Sequence, residues 1–258
     1  MTSTAYAPQA ATSDAAMRVP EATALFWLLK CLTTGFGESF ADLLQKNLGP
    51  KKTLALFGLV LVAAIFLHLR QGRYRVWPYW IVVTLVAVFG TALSDVLAFR
   101  VGVPLPVSNT IFAAILAAVF FAWWKSEGTL SIHSITSKRR ELFYWVAVIV
   151  TFALGTAVGD LSAGRLGLGY LGSGLFCAGL IFLPALGYWK FGLGPVTAFW
   201  ASYVVTRPLG ASFADWLAFP QNRGSLNFGL GPVSLVLGLL IIGLTAWLAG
   251  QQQREQRA

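Results

Sequence analysis

Four aspartates, Asp42, Asp95, Asp160 and Asp215, each stand fifteen residues after a tryptophan and close an apolar stretch: "FGESFAD", "FGTALSD", "LGTAVGD" and "LGASFAD". Glu38 lies one helical turn before Asp42, so the first copy carries a second acid. Carboxylates inside an apolar segment are costly, and they commonly mark ion pathways or proton relays. Their hard oxygens suit Mn²⁺, Mg²⁺ or Ca²⁺. Crowded carboxylates also trade protons, because adjacent negative charges resist full ionisation together. The blander alternative is that each Asp reaches interfacial water near a helix end and bonds a neighbouring Trp, Ser or backbone group. Lys30 and Arg207 lie on the same helical stripes as the acids. They read either as internal ion-pair partners, Arg207 with a carboxylate of an adjacent repeat, or as a gate.

The elements that must position these residues form an internal repeat. Aligned on the pairs Phe26-Trp27, Tyr79-Trp80, Tyr144-Trp145 and Phe199-Trp200, the copies place a Gly ten residues after the Trp: Gly37, Gly90, Gly155 and Gly210. Four residues later stands a second small residue, Ala41, Ser94, Gly159 or Ala214, the spacing that lets membrane helices approach closely. A stripe at four-residue steps ends on each Asp. The copies read Lys30-Thr34-Glu38-Asp42, Val83-Ala87-Thr91-Asp95, Val148-Phe152-Thr156-Asp160 and Tyr203-Arg207-Ala211-Asp215. Close packing beside this stripe predicts that it faces the interior of a bundle. Each unit is one motif-bearing helix, a short Gly-containing connection and a plainer apolar helix. Two helices per unit make the copies parallel rather than inverted.

Composition names the solvent. Of 258 residues, 57% are hydrophobic and 11% charged, too much apolar surface to hide from water and right for a lipid bilayer. Eight spans are predicted, about 24–44, 53–69, 77–98, 105–124, 142–163, 168–189, 193–217 and 228–249. The fold class is thus an all-α polytopic membrane bundle of eight transmembrane helices. The chain divides into a flexible cytoplasmic segment 1–23, repeats at 24–70, 77–124, 142–189 and 193–249, and a polar tail 250–258. Residues 1–20 have no apolar core for a cleavable signal peptide, so the first helix reads as the targeting signal. The tryptophans read as interface anchors.

The net charge of +9 raises a nucleic-acid reading, which its distribution answers. Eleven basic residues fall on the side of the termini: Arg18, Arg70, Arg73, Arg75, Lys125, Lys138, Arg139, Arg140, Lys190, Arg254 and Arg257. Six fall opposite: Lys46, Lys51, Lys52, Arg100, Arg165 and Arg223. That bias predicts cytoplasmic termini and a basic surface against anionic lipid, with no nucleic acid as partner. No cofactor is implied. Cys31 and Cys177 have no metal spacing, and His68 and His133 are far apart. "GLGYLG" (Gly167 to Gly172) matches a dinucleotide fingerprint by letters alone, with no strand before it. Neither GxSxG nor HExxH occurs, so the expectation is not an enzyme.

The stretches "LFWLLKCLTTGFGESFADLL" (Leu25 to Leu44) and "GTLSIHSITSKRRELFYWVAVIVTFALGTAVGDL" (Gly128 to Leu161) resemble a family of bacterial membrane-anchored proteins. That family is built from four tandem two-helix repeats of unknown function, each with a marked tryptophan. The resemblance covers about residues 21–249 and implies a bacterial inner-membrane location, but no substrate or reaction. Arg207-Pro208 and the loop "FPQNRGS" (Phe219 to Ser225) depart from the repeat. The leading expectation is a transporter of a small inorganic cation, divalent or proton-coupled, using Glu38 and the four Asp. A membrane scaffold protein is the alternative. The sequence names no oligomeric partner.

Overall fold

The computed structural model describes residues 17–256 and is all-α. The eight α-helices among the described residues are α1 (Ala24–Leu48), α2 (Pro50–Gln71), α3 (Val76–Asp95), α4 (Leu105–Glu127), α5 (Lys138–Asp160), α6 (Gly169–Lys190), α7 (Pro195–Ala218) and α8 (Leu230–Glu255). Local chemistry sets several ends. The Thr23 and Ser137 side chains accept from Phe26 N and Arg140 N, capping α1 and α5. Gly49, at φ 86°, lets α1 stop and Pro50 open α2 one residue later. Beyond Asp95 and Asp160 the chain continues into π-helical turns, Val96–Arg100 and Leu161–Arg165, which the sequence pattern did not anticipate.

Six helices are long and apolar enough to cross a membrane by length and composition: α2, α3, α4, α5, α6 and α8, with α3 and α5 counted through their π turns. The motif-bearing α1 and α7 are not among the six, although eight spans were expected. They hold Lys30, Glu38, Asp42, Arg207 and Asp215, five of the seven charged residues nominated from the sequence.

The odd-numbered helices form a ring, α1 on α3, α3 on α5, α5 on α7 and α7 back on α1. Each even-numbered helix packs outside the ring, chiefly against the inner helix of the next repeat: α2 on α3, α4 on α5, α6 on α7. Helix α8 completes the pattern by covering α1. Four glycines make the ring contacts equivalent. A Cβ on Gly90 would lie 2.6 Å from Phe152 Cβ, and one on Gly210 2.7 Å from Thr34 Cβ. A Cβ on Gly37 would lie 2.8 Å from the Ala87 carbonyl carbon, and one on Gly155 3.0 Å from Pro208 Cδ, beside the Arg207 stem. Gly37, Gly90, Gly155 and Gly210 thus each admit the next inner helix at the residue three before its own glycine, or at that residue's chain neighbour. The fourfold arrangement holds here despite Arg207-Pro208, and α7 runs through Pro208 unbroken.

A second ring contact corrects the reading of the tryptophans. Trp80, Trp145 and Trp200 are buried. Phe26 packs on Trp80 with ring centroids 5.8 Å apart, Tyr79 on Trp145 at 5.5 Å, Tyr144 on Trp200 at 6.1 Å and Phe199 on Trp27 at 5.5 Å. Each aromatic–Trp pair therefore joins neighbouring repeats inside the bundle, where burial of large rings outweighs their preference for an interface. The outward faces carry exposed apolar side chains such as Leu59, Phe182 and Leu239, as lipid contact requires.

Of the segment 1–23 expected to be flexible, residues 1–16 lie outside the described residues. Met17 and Arg18 are instead bonded into the bundle, with Val19 buried beside them: Tyr74 N donates to Met17 O (2.8 Å) and Arg18 N to Ile135 O (3.0 Å). At the other terminus α8 runs through the expected tail to Glu255, while Arg257 and Ala258 lie outside the described residues.

Candidate functional site

The four inner helices run in one direction, so residues at equal distance from the ring glycines share a level. One stripe residue per helix recurs every four residues, which stacks levels about 6 Å apart along the axis. Arg207 proves the convergence, because its buried guanidinium reaches all three other inner helices. It pairs with Glu38 Oε2 of α1 at 2.8 Å, donates to Thr34 O at 3.1 Å, to Thr156 Oγ1 of α5 at 2.8 Å, and to Thr91 Oγ1 of α3. Thr91 in turn donates to Glu38 Oε2 at 3.2 Å.

Above this floor, Asp42, Asp95, Asp160 and Asp215 line one cavity of 390 Å³, together with Glu38. All five acids nominated from the sequence come together there. Ligand oxygens of Glu38, Asp42 and Asp215 lie within 4.8 Å of one another, close enough to share one ion. Gln45 Nε2 donates to Asp95 Oδ2 at 2.6 Å. Among the described residues, Asp160 Oδ2 and Asp215 Oδ1 are buried without a hydrogen-bond partner. Buried acceptors are nearly always satisfied by protein, water or an ion, so these two point to a ligand in the well. Lys46, Arg100 and Arg223 also line the cavity.

Lys30 does not reach the well. It sits two levels below Glu38, fully buried, with Nζ 3.9 Å from the Phe152 ring centroid and 4.1 Å from that of Tyr203. Below it the aromatic girdle fills the axis. The hydroxyls of Tyr79 and Tyr144 are 2.6 Å apart within that layer.

A family model described as a Repeat of Unknown Function (DUF347) matches four stretches of the chain, residues 25–74, 78–129, 143–192 and 198–253. The chain belongs to this repeat family. No curated protein and no solved structure matches it. In this DUF347 protein each matched stretch holds one inner and one outer helix, and each contributes one aspartate to the well.

Several residues of the well escaped the sequence reading. Thr91 and Thr156 stand on the stripes but had been given no role. Gln45, one turn beyond Asp42, carries no signal except that spacing. Tyr170 and Arg223 arrive from α6 and from the loop after α7, and Arg223 sits in the very segment that departs from the repeat. Thr33 and Thr206, near the stripes, donate their hydroxyls to the backbone oxygens of Lys30 (2.9 Å) and Tyr203 (2.7 Å) and are not free to act as ligands.

Proposed function

We propose that this protein is a multi-pass protein of the bacterial inner membrane that binds a small divalent cation in the carboxylate well and transports it. All eight helices span in this reading. α1 and α7 can do so because their charged groups turn toward the ring axis, where they are paired or line a cavity, the arrangement tolerated within lipid. The excess of Lys and Arg at the end holding the described termini supports cytoplasmic termini, with the well facing the opposite side.

The observation that carries the reading is the well itself. Carboxylates from all four repeats line one cavity, only Glu38 is ion-paired with the buried Arg207, and two carboxylate oxygens have no partner among the described residues. Hard oxygens in that number suit an ion taking six or more oxygen ligands. The reading assigns no chemical reaction. A non-transporting scaffold is the second reading, favoured by the continuous aromatic packing beneath the well.

The test is Mn²⁺ binding to detergent-solubilised protein, followed by electron paramagnetic resonance, with uptake measured in proteoliposomes. Asp160→Asn and Asp215→Asn keep volume and most hydrogen bonding but remove the fixed charge. Each is expected to fold normally and weaken binding at least about tenfold, roughly the 1.4 kcal/mol that a charged ligand readily exceeds. Unchanged Mn²⁺ binding in both variants, or a wild type that neither binds nor moves Mn²⁺, Mg²⁺ or Ca²⁺, gives the scaffold reading its place.

A further inference from the structure

We propose that the seam between α8 and α3, at the end that holds the described termini, binds a phospholipid with a primary-amine headgroup. The site lies at the opposite end of the bundle from the carboxylate well. It rests on reading the helices as membrane spans and is independent of the cation.

Two adjoining cavities follow this seam, and Trp80 lines both. The first, of 310 Å³, lies among the starts of α1 and α3 and the last turns of α8, with Glu21, Thr23, Gln251 and Glu255 in its lining. The second, of 230 Å³, continues between α3 and α8 and is lined mostly by apolar side chains. Trp77, Ile81 and Ile242 on its walls are exposed, so it opens on the lipid-facing surface. Together the cavities follow α8 from Glu255 to Gly238. That is about 25 Å at the rise of an α-helix, comparable to one bilayer leaflet with its headgroup layer.

Charge selects the headgroup. Basic residues crowd this end of the bundle, and two of its acids, Glu127 and Glu141, are ion-paired with arginines. Glu21 and Glu255 form no ion pair among the described residues, and both line the first cavity. Two carboxylates without a base are complementary to an ammonium, which donates charge-assisted hydrogen bonds to them. The first turns of α1 and α3 border the same cavity through Thr23, Phe26 and Val76. Helix N-termini carry partial positive charge and favour a phosphate. One molecule that carries an amine, a phosphate and an apolar tail satisfies both cavities.

Buried donors mark the join between head and tail. Trp80 is 2% exposed and Thr245, on the wall of the second cavity, 1%. Among the described residues neither Trp80 Nε1 nor Thr245 Oγ1 has a hydrogen-bond partner. Thr84, on the same cavity, returns its hydroxyl to Trp80 O at 2.8 Å, as helical threonines commonly do. Thr245 does not, and buried polar groups are nearly always satisfied, so its hydroxyl is left for a ligand. The ester carbonyls of a phospholipid are acceptors at that place. The gap is also a departure from the repeat. His68 of α2 lies 5.4 Å from Trp145, and Trp123 of α4 lies 5.8 Å from Trp200, centroid to centroid. Among the described residues no ring of α8 packs on Trp80, whose aromatic neighbours are Phe26 and Tyr79.

Native mass spectrometry of the full-length protein tests the site, after release from mixed micelles holding equal amounts of phosphatidylethanolamine, phosphatidylglycerol and phosphatidylcholine. One phosphatidylethanolamine per chain is expected to stay bound, at least tenfold above either other lipid. Phosphatidylglycerol has no amine, and the quaternary ammonium of phosphatidylcholine has no N–H to donate to a carboxylate. The double variant Glu21→Gln/Glu255→Gln should lose the preference, and Thr245→Phe, which fills the second cavity, should lower retention at least tenfold. Leu240→Phe, on the exposed face of α8, should change neither. If Thr245→Phe does not fold, the double variant decides alone, since both of its changes are at exposed side chains. Equal retention of the three lipids, or an unchanged preference in the double variant, overturns the proposal. So does a wild type that retains no lipid, the result expected were residues 1–16 to fill the first cavity.

Discussion

Adding one methyl group to a ring glycine should separate two inner helices, and the structure sets the size of the effect. A Cβ at Gly90 would lie 2.6 Å from Phe152 Cβ and 3.1 Å from Ala153 N. A Cβ at Gly210 would lie 2.7 Å from Thr34 Cβ and 3.0 Å from Cys31 O. Carbon atoms in contact prefer about 3.5–4.0 Å, so each new methyl overlaps its neighbour by about 1 Å. Apart from the Thr34 hydroxyl, which also crowds Gly210, the obstructing atoms belong to backbone and to Cβ, which cannot rotate away. The helices must part by a similar distance, which costs about 1–3 kcal/mol as overpacking does in cores. Against this, replacing Gly by Ala within a helix gains about 0.5–1 kcal/mol. Gly179 of α6 has nothing within 4 Å of a built Cβ and receives only the gain. Gly90→Ala and Gly210→Ala are therefore expected to destabilise, and Gly179→Ala to stabilise slightly. Unfolding by titration with a denaturing detergent, followed by the fluorescence of the ten tryptophans, measures the difference. If Gly90→Ala and Gly210→Ala unfold at or above the wild-type midpoint, the ring contacts do not depend on close glycine approach and the packing argument fails.

The Arg207–Glu38 pair makes a double-mutant cycle. Arg207→Met strands Glu38 and two threonine hydroxyls, and should cost about 3–5 kcal/mol, as breaking one side of a buried pair does. Glu38→Gln should cost less, and the double variant should fall well short of the sum, whereas strict additivity would show that the pair is not coupled. For topology, reporter domains fused at the N-terminus and after Ala258 should both report the cytoplasm. Activity of a periplasmic reporter at either end would reverse the assigned orientation.

The acidic column, the four-residue stripe and the ring glycines were legible in the sequence because they follow from the pitch of a single helix. Once Trp, Gly and Asp recur at fixed offsets, each carboxylate must lie on the same face and level of its helix, whatever surrounds it. Sequence also identified Arg207 as an exception to its own repeat. Only the tertiary structure decided which helix meets which. The outer helices are largely apolar, and between apolar surfaces in lipid there is no hydrophobic preference for one partner, so shape and a few polar contacts choose: Asn109 of α4 donates to Ala157 O (2.9 Å), Ser173 of α6 bonds Ser212 (2.8 Å) and Ser234 of α8 donates to Ser39 (3.0 Å). That choice sends each outer helix to the next repeat and closes α8 on α1, bringing Arg207 to Glu38 across 169 positions of the chain. It also turned the tryptophans inward. A Trp beside an aromatic near a helix start looks like an interface anchor until the neighbouring repeat supplies a ring to cover it.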